Sequence, residues 1–339
     1  MMLESVKRKV QLTGKATFIV SLPKSWATNM SLKPGDEVIF IPQPDGSLKL
    51  TVSAIETVSS KALIEVDEKY TPDDVCREFI SYYLAGCNNI EVYFKHGMYE
   101  HKRILKEIID RKMIGVEIIE ESEAHVVAQC LVRYAELPVG RVLQRMGSIV
   151  SFMLLDAVKA LHTRDGKLAS EIVERDDEVD RFYLFTVRQL MAAVKNPLLL
   201  SDIGISTPSE CLAYHVIAKS IERMADHASR IANVVAFLPG SLPEGFVENI
   251  EETVNDAVEI LGSTLRALAR KRKGTAIKNI RIAKEITEKV RDIMEIVFKD
   301  RGRAVEATYM ALIVESIERV IEYISDIAEN VVNILIGES

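Results

Sequence analysis

Four pairs of acids stand four residues apart in the C-terminal half of this chain: Asp176/Asp180, Glu222/Asp226, Glu288/Asp292 and Glu318/Glu322. Residues at that spacing are neighbours on one helix face, so each pair can aim two carboxylates at one spot. Oxygen ligands without thiolates suit a hard or borderline cation, such as Mg²⁺, Mn²⁺ or iron. The competing reading is solvated acids paired with Arg223, Arg319 or Lys289. Asp176 argues for the metal, because it falls inside the apolar arc of its helix, where a carboxylate is costly unless paired or coordinated. Asp180 falls at the edge of that arc. A metal-dependent hydrolase would also need a general base, for which only His215 and His227 are in range.

Two of these pairs lie in repeated text. Ile221-Glu222-Arg223-Met224-Ala225-Asp226-His227, running on to Ile231-Ala232, recurs as Ile317-Glu318-Arg319-Val320-Ile321-Glu322-Tyr323, running on to Ile327-Ala328, at a constant offset of 96 residues. Self-similarity at a fixed offset dictates architecture. Ile217, Ile221, Met224, Ala228, Ile231 and Val235 fall on one arc of a helical wheel, as in a helix packed on one side. The helical pattern begins near Leu137 and predicts six helices over roughly 138–163, 167–195, 207–238, 244–271, 275–299 and 303–336. Gly, Pro and Asp/Asn breaks separate them, as in two three-helix sets. The second set is the looser match, with Glu322 for Asp226 and Tyr323 for His227.

A chain of 339 residues can hold several domains. Its formal charge of −7 conceals an asymmetry: residues 1–52 carry seven Lys/Arg against four acids, leaving 36 basic and 46 acidic residues for the remainder. A basic head on an acidic body suits an anionic partner at the head. Cys76, Cys87, Cys130 and Cys211 show no metal-ligand spacing and read as reduced thiols. No apolar run approaches the length of a membrane span and no signal peptide opens the chain, so the expectation is a cytoplasmic protein without membrane insertion.

Residues 1–52 alternate and turn. Short strands are predicted at Val10–Leu12, Thr17–Ser21, Val38–Ile41 and Leu48–Val52, with turns at Gly14-Lys15, Lys33-Pro34-Gly35-Asp36 and Asp45-Gly46. So small a core points to a homo-oligomer, at least a dimer through the head. Residues 53–136 read as an α/β connector of order strand, helix, strand, helix, strand, strand, with no nucleotide fingerprint. The fold class is therefore multidomain: a small β-rich head (1–52), an α/β connector (53–136) and an all-α body of two three-helix bundles (137–240 and 241–339).

The head resembles the AbrB-type swapped-hairpin DNA-binding family through Arg8-Lys9-Val10, Gly14-Lys15, Leu22-Pro23-Lys24 and Leu32-Lys33-Pro34-Gly35-Asp36. Trp26 in the short helix departs from that pattern. The resemblance implies a barrel shared by two chains, with Lys7, Arg8, Lys9, Lys15 and Lys24 against the phosphates of double-stranded DNA. The body resembles the PhoU family of phosphate-uptake regulators, whose best-known string is matched by Glu222-Arg223-Met224-Ala225-Asp226-His227, with Asp176/Asp180 as its partner. That resemblance implies iron or another metal at the acids, and contact with a phosphate ABC transporter ATPase or a sensor protein. Together the expectation is a non-enzymatic, DNA-binding regulator of phosphate uptake. A metal-dependent hydrolase and an adaptor that does not bind DNA are the alternatives.

Overall fold

A computed structural model describes residues 6–14, 16–42, 46–52, 61–235, 237–238, 242–299 and 304–337. The chain divides into two compact units, Met1–Ser59 and Ser60–Ser339.

In the first unit, strands β1 (Gln11–Thr13) and β2 (Thr17–Ile19) form one antiparallel hairpin, and β3 (Ile39–Pro42) and β4 (Leu48–Thr51) another. Between them lies the six-residue helix α1 (Lys24–Asn29), which follows Pro23. The Lys33–Asp36 turn is held by the Lys33 amide donating to Asp36 Oδ2 (2.7 Å), and Gly35 supplies the positive φ of 99° that other residues resist. Among the described residues of this unit, Ile41 is the only buried hydrophobic side chain. The predicted turn residues Lys15 and Asp45 lie outside the described residues.

The second unit begins with a four-stranded sheet of order β5-β6-β8-β7: β5 (Lys61–Val66), β6 (Asn89–Phe94), β7 (Val116–Glu121) and β8 (His125–Cys130). β5 and β6 are parallel, joined by helix α2 (Pro72–Leu84), and the other pairings are antiparallel. Thr71 and Asp74 form the reciprocal capping box that starts α2, with Pro72 at its first position. Helix α3 (Tyr99–Lys112) covers the same sheet.

The body contains α4 (Val139–Thr163), α5 (Gly166–Lys195), the single turn α6 (Leu200–Ile203), α7 (Glu210–Val235), α8 (Phe246–Ala269), α9 (Lys273–Lys299) and α10 (Ala304–Gly337). The six long helices match the periodic pattern to within three residues at nearly every end, because each break contains the residues that stop a helix: Asp165 caps α5, and Asn196 accepts from the Leu198 amide after it. α4, α5 and α7 pack together, as do α8, α9 and α10. The two sets are not separate bundles with separate cores. α4 packs on α8 and α7 on α10, so one apolar core runs continuously from Val139 to Leu335. The repeat copies α7 and α10 run antiparallel: Arg223 meets Tyr323 at one level and Arg230 meets Glu315 (3.1 Å) at another. The equivalent residues His227 and Tyr323 meet between these two levels, with ring centres 5.8 Å apart.

One feature of α5 departs from its one-sided pattern. Its C-terminal half is buried on both sides, because α2 and α3 pack against the face turned away from the bundle. Arg188, on the side of the helix away from Ile172 and Val179, has no exposed surface at all. Its guanidinium donates to the carbonyls of Tyr83 and Cys87 (2.9 Å to the latter) and to Asn88 Oδ1 (2.6 Å), at the C-terminal end of α2. Tyr83 lies in the last turn of α2, where a helix leaves its carbonyls without the usual intrahelical partners, and Cys87 lies just beyond it. The α/β segment and the helical body are therefore locked into one unit through α5.

Candidate functional site

Helices α5 and α7 bring the first two acid pairs together. Asp176, Asp180, Glu222 and Asp226 all feel one another's charge, and three of them are held above the ordinary carboxylate range. Burial pushes Asp176 up to about 7, reinforced by Asp226 and Asp180. Burial also raises Glu222, against the opposing pull of Lys219, and raises Asp226, with Asp180 adding to the effect. Glu222 is buried and Asp226 lies at the exposed rim. Two buried carboxylate oxygens, Asp176 Oδ1 and Glu222 Oε2, have no hydrogen-bond partner.

Two lysines, not anticipated from the sequence, supply the balancing charge. Lys112, the last residue of α3, places Nζ 2.7 Å from Asp180 Oδ2 and 3.4 Å from Asp177. Lys219 of α7 bonds Glu222 one turn ahead and lies 4.9 Å from the centre of the Tyr183 ring. Burial opposes the Lys112 charge, but Asp180 and Asp177 outweigh it and its pKa is raised. Lys219 was legible as an i,i+3 partner on a helix. Lys112 lies 68 residues from Asp180 and carries no local signal.

As arranged, the cluster is compensated by lysines. Among the described residues, no group of three or more His, Cys, Asp or Glu is placed to hold a metal ion. The fit to a cation is chemical: two orphaned buried oxygens and an excess of negative charge, with Lys112 standing beside Asp180 where a cation would compete.

The second set of acids is not assembled in this way. Glu288, Asp292 and Glu322 are exposed and Glu318 is half-buried. Lys289 reaches Glu252 (3.2 Å) and Asp256 (2.9 Å) on α8, and Glu322 is paired with Arg319. Tyr323, standing where the first copy has His227, is buried between two guanidiniums, Arg223 at 5.8 Å and Arg319 at 5.7 Å from its ring centre. The histidines divide likewise. His215 lies beside Tyr183 on the acid-cluster side (ring centres 6.2 Å apart), whereas His227 packs against Tyr323 (5.8 Å). Burial lowers the pKa of both.

In the head, Lys7, Arg8, Lys9 and Lys24 are exposed, the first three in the segment that leads into β1. Lys15 lies outside the described residues. Among the described residues, no helix is long and apolar enough to cross a membrane.

Comparison with known proteins follows the same division. Residues 143–235 match the family model of the PhoU domain, spanning α4, α5 and α7 with all four clustered acids. Residues 11–56 match the antidote-toxin recognition MazE family of bacterial antitoxins. A phosphate-specific transport system accessory protein PhoU homolog from Clostridium acetobutylicum is 21% identical over 203 residues, covering 58% of this chain and 90% of that protein. The homolog from Caulobacter vibrioides (strain NA1000 / CB15N) is 33% identical over 97 residues, so this chain spans 39% of its length. The crystal structure of the phosphate transport system regulatory protein PhoU from Streptococcus pneumoniae superposes with a TM-score of 0.51 at 21% identity, over 59% of this chain and 94% of that one. That likeness concerns the fold. The helical half of this chain is thus similar to PhoU proteins, with residues 143–235 matching the PhoU domain, and residues 11–56 ahead of it are similar to the MazE family.

Proposed function

We propose that this chain is a homo-oligomeric regulator of phosphate uptake that binds double-stranded DNA through its head and a divalent or trivalent cation through the acids of α5 and α7. The observation that carries the reading is the PhoU-domain match over the stretch that assembles Asp176, Asp180, Glu222 and Asp226, in a chain that opens with a MazE-type domain. The curated relatives are accessory proteins of phosphate-specific transport, which supports a transporter ATPase or a sensor as protein partner.

For the head, support comes from exposure. Val10, Leu12, Phe18 and Leu48 are 59–75% exposed in a unit whose described residues bury only the Ile41 side chain among their hydrophobics. Apolar surface on that scale marks an interface, and a second copy of the head is the occupant that would complete its core. For the cation, support comes from the orphaned oxygens of Asp176 and Glu222. Iron, Mn²⁺ or Mg²⁺ would be held by Asp176, Asp180, Glu222 and Asp226, and would neutralise charge that Lys112 and Lys219 now share.

One experiment tests both halves. Protein purified with and without added iron, Mn²⁺ or Mg²⁺ is assayed for bound metal and for binding to a duplex across a salt series. Bound metal together with salt-sensitive DNA binding is the expected result. DNA binding without metal reduces the acids to a lysine-compensated structural cluster. Metal without DNA binding favours the adaptor reading.

A further inference from the structure

One stretch of the body contradicts its acidic character. Between Glu259 and Glu285 there is no acid, yet there are eight bases: Arg266, Arg270, Lys271, Arg272, Lys273, Lys278, Arg281 and Lys284. All eight are exposed. Setting Lys271 aside, none of them forms an ion pair with a carboxylate among the described residues, whereas Arg145, Arg175, Lys219, Arg230, Lys289 and Arg319 elsewhere in the body do. An exposed charge that is not spent on a neighbour is available to a partner.

The fold gathers these bases. α8 ends at Ala269, Lys271 takes a positive φ of 53°, and α9 starts at Lys273. Backbone bonds from Arg272 to Ala267 (2.8 Å) and from Thr275 to Arg272 (3.0 Å) close the turn. Beneath it the buried Asn279 amide bonds the hydroxyls of Ser263 and Thr264, both at 3.0 Å, and pins α9 to α8. The bases therefore stand on a rigid, antiparallel helix pair. The N-terminus of α9 contributes the positive end of its dipole to the same place.

We propose that this α8–α9 hairpin is a second contact for the sugar–phosphate backbone of double-stranded DNA, distinct from the head. The choice of partner rests on the DNA reading of the head. Lys273 to Lys284 spans about 16 Å of helix, over which a duplex presents roughly ten phosphate charges. Among the described residues of the patch Ile277 is the one large apolar side chain that is exposed, at 40%, and no aromatic accompanies it. A membrane-seated surface uses aromatic and Leu side chains on its buried face. Backbone contact of this kind adds affinity and salt dependence without reading sequence.

The test uses the full-length chain and two duplexes, of about 16 and about 40 base pairs, in a salt series. One variant carries Arg270→Gln, Arg272→Gln, Lys273→Gln and Arg281→Gln, and another carries Arg8→Ala and Lys9→Ala; circular dichroism checks that both are folded. The hairpin variant should bind the long duplex at least about tenfold more weakly, with a salt slope smaller by about 0.9 for each phosphate that is no longer neutralised. The head variant should lose affinity for both duplexes. A folded hairpin variant with wild-type affinity and slope on both duplexes overturns the proposal, and so does a wild type that binds neither. If the head variant is unaffected while the hairpin variant loses binding, the head reading fails and the hairpin surface stands. Vesicles of phosphatidylserine and phosphatidylcholine form the control arm. If the hairpin substitutions abolish vesicle binding and leave duplex binding unchanged, the surface belongs to a membrane and the DNA assignment is wrong.

Discussion

The two three-helix sets began from the same text and now differ in what they do with it. In the first set, Glu222 is buried, Asp176 and Asp180 of α5 are half-buried beside it and Asp226 stands at the exposed rim, so four carboxylates converge on one partly desolvated spot. In the second set, Glu322 lies in solvent beside Arg319, and Glu288 and Asp292 are exposed on α9. The cause is what packs outside each set. α3 of the α/β segment packs on α5 and delivers Lys112 to Asp180, while the end of α2 holds the C-terminal half of α5 through Arg188. The matching position of Tyr323 serves the α7–α10 contact. A helical framework can thus be duplicated with its core intact while a polar site survives in one copy only, because the core depends on apolar spacing and the site depends on neighbours.

The comparison breaks most visibly at Arg188, the residue that gives the first set its cover. Arg188→Ala removes charge-assisted bonds to Tyr83, Cys87 and Asn88 and leaves a cavity where the buried guanidinium stood, a loss expected at about 3–5 kcal/mol. Urea denaturation should show it, and a loss below about 1 kcal/mol would mean that the cover is held by other groups.

The next effect concerns the cation. If the first set binds it, a hundredfold excess over Kd stabilises the native state by about 2.7 kcal/mol. Asp226→Asn should abolish that gain and Glu322→Gln should preserve it, as read by thermal unfolding with and without added Mn²⁺. Equal loss in both variants would erase the distinction between the copies.

A smaller effect is a pH dependence confined to the first set. Asp176 titrates near 7 in the folded chain and near its ordinary 3.8 when unfolded. Between those values the folded state binds more protons, so this residue's contribution is fully favourable below about pH 4 and is lost as pH rises through 7. In chelator, Asp176→Asn should therefore be more stable than wild type at pH 8, by about 1–2 kcal/mol after allowance for solvent screening, with the gap closing toward pH 4. A gap that does not change with pH would place Asp176 in water. The smallest effect is expected at Glu288→Gln, an exposed side chain, which should stay within about 0.5 kcal/mol at any pH; a larger change would reveal a second assembled site.

Much of this architecture can be read without coordinates. The breaks at Asp165-Gly166, Asn196-Pro197 and Gly274 are chemically legible, and the long helices begin and end beside them. Thr71-Pro72 announces the start of α2, and the recurrence of Ile-Glu-Arg announces the duplication. The basic run from Arg266 to Lys284 is equally local and lies in plain view in the sequence. Less legible was the short turn α6, four residues within a connection that reads simply as a break.

What the amino-acid order determined by itself is whatever depends on neighbours along the chain: helix spacing, caps, the apolar arc of α7 and the pairing of acids one turn apart. The apolar arc already marked Asp176, but tertiary structure decided which of the other acids lose water. Asp176 and Glu222 are strained by burial because α5 and α7 face each other under the α/β segment, and Lys112 arrives from 68 residues away to share their charge. Arg188 shows the same limit from the other side, since a guanidinium on a helical wheel reads as solvated until a second domain closes over it. Desolvation depends on every element packed around a group, and one-dimensional spacing carries no record of them.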